Sequence, residues 1–174
     1  MSKKEINILI VDDEEKIANI IAKYLRLYNG FNNIIIANDG VQAVQKISNQ
    51  DFDLVITDLV MPKRDGLILI DNIQKVPKYN NLKFMVVSGC LNKEMTIATM
   101  KRGVKHIVVK PFSARQILEK TFEALKIDKR PKVLADKIIL KVSEMLIKRK
   151  DLLESATAEI PVNELFDISK SGKE

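Results

Sequence analysis

Apolar and polar positions along this chain fall into five short hydrophobic runs separated by segments of helical period. The runs lie at residues 6–11, 33–37, 53–57, 83–87 and 106–109. A nearly continuous run such as Ile6-Asn7-Ile8-Leu9-Ile10-Val11 predicts a strand buried on both faces of a parallel sheet. Residues 14–28, 40–49, 66–76, 93–102 and 113–126 predict helices. In the first of these, Ile17, Ile20, Ile21, Tyr24, Leu25 and Tyr28 recur at helical spacing, so one face belongs to a core. Asn29-Gly30 is expected to close that helix with a left-handed turn. Asp39-Gly40, Asp65-Gly66 and Arg102-Gly103 mark further turns or helix ends. Strict alternation of strand and helix over about 127 residues predicts an α/β fold: a doubly wound, five-stranded parallel sheet with five helices on its two faces, in the flavodoxin-like order 2-1-3-4-5.

The pattern changes at Asp128-Lys129-Arg130-Pro131. Residues 132–155 predict one more helix, with Ala135, Ile138, Val142, Met145 and Leu152 along one stripe and Leu134, Ile139, Leu146 and Leu153 along a second. Arg149 interrupts the first stripe. Beyond Ser155 the chain turns polar, apart from Pro161 and an apolar cluster of Leu165, Phe166 and Ile168. The expected organisation is a domain over residues 1–127 and a helical extension over 128–174 ending in a mobile tail. The extension is read as packing on the domain or on a second chain, or as docking another protein. A DNA-binding element is disfavoured, because about 45 residues with one clear helix are poor material for a helix-turn-helix core.

Composition narrows the class. Of 174 residues, 46% are hydrophobic and 30% charged, which suits a soluble globular protein. No apolar run nears the ~20 residues of a membrane span. Met1-Ser2-Lys3-Lys4-Glu5 meets a strand at once, leaving no room for a signal peptide, and the single cysteine suits a reducing cytoplasm. Cys90 is expected to be a buried or half-buried structural thiol. Residues 1–127 hold 19 Lys and Arg against 14 Asp and Glu, and residues 128–174 hold 10 against 9. The net charge of +6 is therefore scattered, and aromatics at 5% with no Trp are thin for base stacking. A solvated, slightly basic surface is expected, with Lys63, Arg64, Lys101, Arg102 and Lys105 on solvated faces. Asp51 and Asp53 read as loop charges, and His106 as a surface or satisfied polar group.

The candidate chemistry lies where the strands end. Asp12 and Asp13 follow the first strand and Asp58 the third, Ser88 ends the fourth, and Lys110 ends the fifth. In an open α/β sheet the carboxyl ends of the strands share the edge where ligands bind. Three carboxylates converging there suit a hard divalent cation, and magnesium takes one or two carboxylates together with waters and a phosphate. One Cys and one His offer no zinc alternative. A compact ammonium and a hydroxyl suit phosphoryl oxygens. Together these parts suffice for phosphoryl transfer by positioning and charge neutralisation, with Asp58 as the nucleophile. Taken singly, each residue has a plainer reading: Asp12 or Asp13 caps a helix, Ser88 sits in a turn, and Lys110 is a solvated strand end.

The set Asp12-Asp13, Asp58-Leu59-Val60-Met61-Pro62 with Asp65-Gly66, Ser88, and Lys110-Pro111-Phe112 resembles the receiver domain of two-component response regulators over residues 4–127. The resemblance implies Asp58 as phospho-acceptor, Asp13 as a metal ligand, Asp12 acting through an intervening water, and a metal contact from the Val60 backbone carbonyl. Ser88 takes the family's hydroxyl place, and Lys110 pairs with the phosphoryl group through a typically cis Lys-Pro bond. It further implies Mg2+, phosphate donation by a sensor histidine kinase or phosphotransfer protein, and output through a downstream protein target. A homodimer through the C-terminal helix is one of the readings open for the extension, and neither membrane nor DNA contact is expected.

Two departures from the family pattern stand out. Ile107 occupies the place where Tyr or Phe usually swings with the hydroxyl residue. Val60 and Cys90 occupy the variable places that tune dephosphorylation, and apolar Val60 cannot orient an attacking water. Slow self-dephosphorylation is therefore expected. Two alternatives remain beside this reading. One is a transcription regulator acting through residues 128–174. The other is a phosphohydrolase of the haloacid dehalogenase type, which wants Asp-x-Asp where this chain has Asp12-Asp13-Glu14.

Overall fold

The computed structural model describes residues 5–61 and 65–127, and the expected extension over 128–174 lies outside them. Five strands and five helices alternate: β1 Asn7–Val11, α1 Glu15–Leu25, β2 Asn33–Ala37, α2 Gly40–Asn49, β3 Leu54–Thr57, α3 Gly66–Gln74, β4 Lys83–Ser88, α4 Lys93–Lys101, β5 His106–Val109 and α5 Ala114–Leu125. A short 3-10 turn, Pro77–Tyr79, precedes β4. The strands form one parallel sheet in the order β2-β1-β3-β4-β5. The predicted order and all ten elements are therefore present.

Successive side chains on a strand face opposite sides, so each central strand feeds two cores. On one side Leu9, Val11, Val55 and Val86 pack with Ala43 and Ile47 of α2 and Leu69, Ile70 and Ile73 of α3. Their alternates Ile8, Ile10, Leu54, Ile56 and Met85 are equally buried. That second face lies under α1 and α5, which supply Ile21, Leu25, Ile117 and Phe122. Full burial of such a side chain contributes about 1.5–3 kcal/mol. The strand C-termini are thereby held at fixed register, with Val11 beside Thr57 and Ser88 beside Val109.

Several local expectations are corrected. The first helix ends at Leu25, four residues before Asn29-Gly30, and runs out through bonds from Leu27 N to Tyr24 O and Tyr28 N to Leu25 O. Among the described residues only Gly103 and Lys126 have positive φ, so Gly30 is not left-handed. Glycine serves there by making room, because a Cβ at Gly30 would collide with the Tyr28 ring. That ring is committed to edge contacts with Phe31 and Phe122. Cys90 is exposed rather than buried. Asp53 is more than a loop charge, since its Oδ2 accepts from Asn7 N at 3.0 Å. Arg102 is only partly exposed and is not a free surface charge: it pairs with Asp71 of α3.

Candidate functional site

Each candidate side chain leaves the sheet at the same edge because its strand ends there. Asp12 follows β1, its N–H bonded to Ala37 O of β2 at 3.2 Å. Asp58 follows β3, its N–H bonded to Val11 O at 3.0 Å. Lys110 follows β5, its N–H bonded to Ser88 O at 2.9 Å. The sheet's own hydrogen-bond ladder thus continues one residue past the strands and aims these three side chains at a common point.

At that point Lys110 Nζ donates to Asp58 Oδ2 at 2.7 Å and to Asp12 Oδ2 at 2.9 Å. Asp58 Oδ1 accepts from Ser88 Oγ at 2.6 Å and from Val60 N at 3.1 Å. Asp12 Oδ1 accepts from Glu14 N at 2.9 Å. Asp12, Asp58 and Ser88 are buried, at 1%, 6% and 0% exposure, so their electrostatics are little screened. Burial pushes the Asp12 carboxyl above its ordinary range, opposed by the Lys110 ammonium beside it. For Lys110 burial acts against the charge, but its bonds to Asp58 and Asp12 outweigh that and raise its pKa.

Two neighbours complete the frame. Gly66 opens α3 so close to Asp58 that an added Cβ would collide with the Asp58 backbone carbonyl, while Gly66 N donates to Leu59 O at 2.9 Å. Asp65 caps α3, its Oδ1 accepting from Leu67 N at 2.8 Å. The dipeptide read as a turn signal is therefore also the wall behind Asp58. The Lys110–Pro111 peptide bond is cis.

The structure brings Asp12, Asp58, Ser88 and Lys110 into one hydrogen-bonded group. Asp13, next to buried Asp12, is exposed, and the Val60 side chain is exposed too. Neither Asp12 nor Asp13 is the N-cap of α1; Glu14 holds that position. Sequence reasoning missed Glu14, whose Oε1 stands 3.5 Å from Lys110 Nζ. Its only sequence signal was adjacency to the aspartate pair.

Three carboxylates touching one ammonium leave excess negative charge, and every side-chain acceptor among them is oxygen. Among the described residues no three acidic, His or Cys side chains are grouped tightly enough to hold a metal by themselves. Magnesium does not need such a cage, since it retains waters and binds through one or two carboxylates. Buried Asp12 and exposed Asp13 side by side fit that mode of binding.

The family model described as the response regulator receiver domain matches residues 8–122. Chemotaxis protein CheY-3 of Vibrio cholerae is 36% identical over 125 residues, covering 70% of this chain and 95% of that protein. A CheY-like receiver domain protein from Methanospirillum hungatei superposes with a TM-score of 0.63 at 27% identity, over 71% of this chain and 95% of that one. The CheX-CheY-BeF3-Mg2+ complex from Borrelia burgdorferi gives a TM-score of 0.62 at 30% identity, over 68% and 87% of the respective chains. Among the described residues no helix is long and apolar enough to cross a membrane.

Proposed function

The chain belongs to the response regulator receiver domain family, and from that premise we propose that it is a magnesium-dependent phospho-acceptor switch of a two-component system. Asp58 is the acceptor. CheY-like receivers are signalling proteins rather than classical enzymes, so the chemistry is confined to gain and loss of phosphate on this one side chain. A sensor histidine kinase or phosphotransfer protein donates: an Asp58 carboxylate oxygen forms the new O–P bond as the P–N bond to the donor imidazole breaks, its electron pair leaving with the ring. Lys110 and Ser88 then transfer their hydrogen bonds from the carboxylate to the phosphoryl oxygens. Asp12, Asp13, Asp58 and the Val60 carbonyl are the groups that would hold magnesium, which when bound supplies charge neutralisation at the phosphoryl group.

One observation carries this reading. The two donors a phosphoryl group needs, Lys110 Nζ and Ser88 Oγ, already stand on the two oxygens of a single buried aspartate. The test is to treat the protein with a small acyl phosphate and magnesium and map the modified residue. Labelling at Asp58, lost in Asp58→Asn with circular dichroism unchanged, is the expected result. Retained labelling in that variant moves the acceptor elsewhere.

Output follows as a population shift of the loop after β4, of α4 and of β5. What supports α4 as the responsive element is its thin anchorage, with Thr99 as its one buried residue. Ile107 lies partly buried against the same core as Leu91 and Met95, so any coupling from Ser88 runs through aliphatic packing rather than a swinging aromatic ring. The readout is contact with a downstream protein in the cytoplasm, with residues 128–174 docking a partner or a second copy and DNA not involved.

A further inference from the structure

An ammonium has three hydrogens, and Lys110 meets three carboxylates. Asp58 and Asp12 are buried acceptors at 2.7 and 2.9 Å, whereas Glu14, 3.5 Å away, has a side chain 63% exposed. Glu14 stands at the N-cap of α1, where a side chain ordinarily accepts from the helix's free N–H groups. It makes no such bond, and its carboxylate reaches Lys110 instead. Its backbone N–H is tied to Asp12 Oδ1, which fixes the base of the side chain beside the site.

We propose that Glu14 is a positioning residue for phosphoryl transfer, competing with the incoming phosphoryl group for the Lys110 ammonium. The proposal rests on Asp58 being the phospho-acceptor and deepens that reading. On transfer the Asp58 oxygens change partner, whereas Glu14 takes no part in the bond changes. Its hold on Lys110 persists and opposes movement of the ammonium onto the phosphoryl oxygens. Because the contact is exposed, the restraint is that of a surface ion pair, equivalent to about a two- to fivefold effect on rate.

The test compares the full-length protein with Glu14→Gln, using acetyl phosphate as donor at saturating magnesium. Donor dependence is resolved into an apparent KM and a maximal rate. The expected result is a maximal rate raised about two- to fivefold, together with moved Lys110 side-chain NMR resonances in the variant before any donor is added. Melting is expected to change by no more than the small contribution of one exposed ion pair, because the Glu14 side chain caps nothing. A change confined to the apparent KM means that Glu14 merely repels an anionic donor, and overturns the proposal. An unchanged rate or unmoved Lys110 resonances overturn it equally. Failure of the parent protein to label at Asp58 is a separate outcome, which removes the phospho-acceptor reading itself and this one with it.

Discussion

Arg102 closes on Asp71 with two arms of its guanidinium, Nε to Oδ1 and Nη2 to Oδ2, each at 2.7 Å. The pair joins the C-cap of α4 to the middle of α3, and Gln74 Nε2 adds a bond to the Arg102 carbonyl at 2.9 Å. A helix that buries only Thr99 is thus held at its far end by a polar clamp, while its first residues adjoin the loop that follows Ser88 at the end of β4.

Arg102→Gln is expected to lower the unfolding free energy by about 0.5–1 kcal/mol at neutral pH. The effect is small because the pair is partly exposed and screened. Its hydrogen bonds to Arg102 hold the Asp71 carboxyl below its ordinary range. The folded pKa therefore lies below the unfolded one, and the stabilisation is complete above about pH 3.9 and lost as pH falls through the folded value. Urea unfolding at pH 7 and at lower pH checks this: the gap between parent and variant should narrow in acid. A gap that widens there contradicts the assignment.

Magnesium is expected to stabilise the folded chain by about 1.4 kcal/mol at ten times its Kd. Asp13→Ala should lose most of that gain. Thermal melts with and without the ion, on both proteins, give the comparison. An equal gain in the variant would place the ion away from Asp13.

Gly66→Ala is expected to destabilise by about 1–3 kcal/mol through overpacking. The new Cβ would meet the Asp58 carbonyl and the Leu59 Cα, backbone atoms that cannot rotate aside. Labelling of Asp58 should fall with stability, because the same shift moves the acceptor. Chemical unfolding together with acyl phosphate labelling reads both effects.

Burial pushes the His106 imidazole below its ordinary pKa, against the pull of Glu123 of α5, while Lys120 and Lys105 add to the depression. The unfolded chain therefore binds this proton more readily than the folded one. Its contribution to stability is complete above about pH 6.5 and is lost as pH falls below it. In His106→Gln the dependence of stability on pH just below 6.5 should flatten. An unchanged slope would assign that titration to another group.

Val60 is 55% exposed beside Asp58 and carries no polar atom in its side chain. The phosphorylated protein is expected to lose phosphate slowly. Val60→Glu should shorten its lifetime by up to about tenfold, less than the ~10²–10⁴ of a fully positioned base. The decay of labelled protein after donor removal measures this, and rapid decay in the parent would refute it.

By itself the amino-acid sequence determined the strands, the helices and the edge on which the chemistry sits. Apolar runs and helical spacing report how each segment is buried, and burial is what selects strand or helix in a parallel α/β sheet. β2 and β5 accordingly fall on the residues their patterns predict, and Asp12, Asp58, Ser88 and Lys110 fall at strand ends. Local preference misled at Asn29-Gly30, where the packing of Tyr28 against Phe31 and Phe122 decides where the chain turns. Only the tertiary structure decided that Asp12 is buried while adjacent Asp13 is exposed. It alone decided that Lys110 bridges two carboxylates, that Glu14 is its third neighbour, and that Arg102 belongs to Asp71. The physical reason is that pairing between charges depends on register and distance in space. Asp12 and Lys110 stand 98 positions apart, and no periodicity along a chain encodes which ammonium reaches which carboxylate across such a separation.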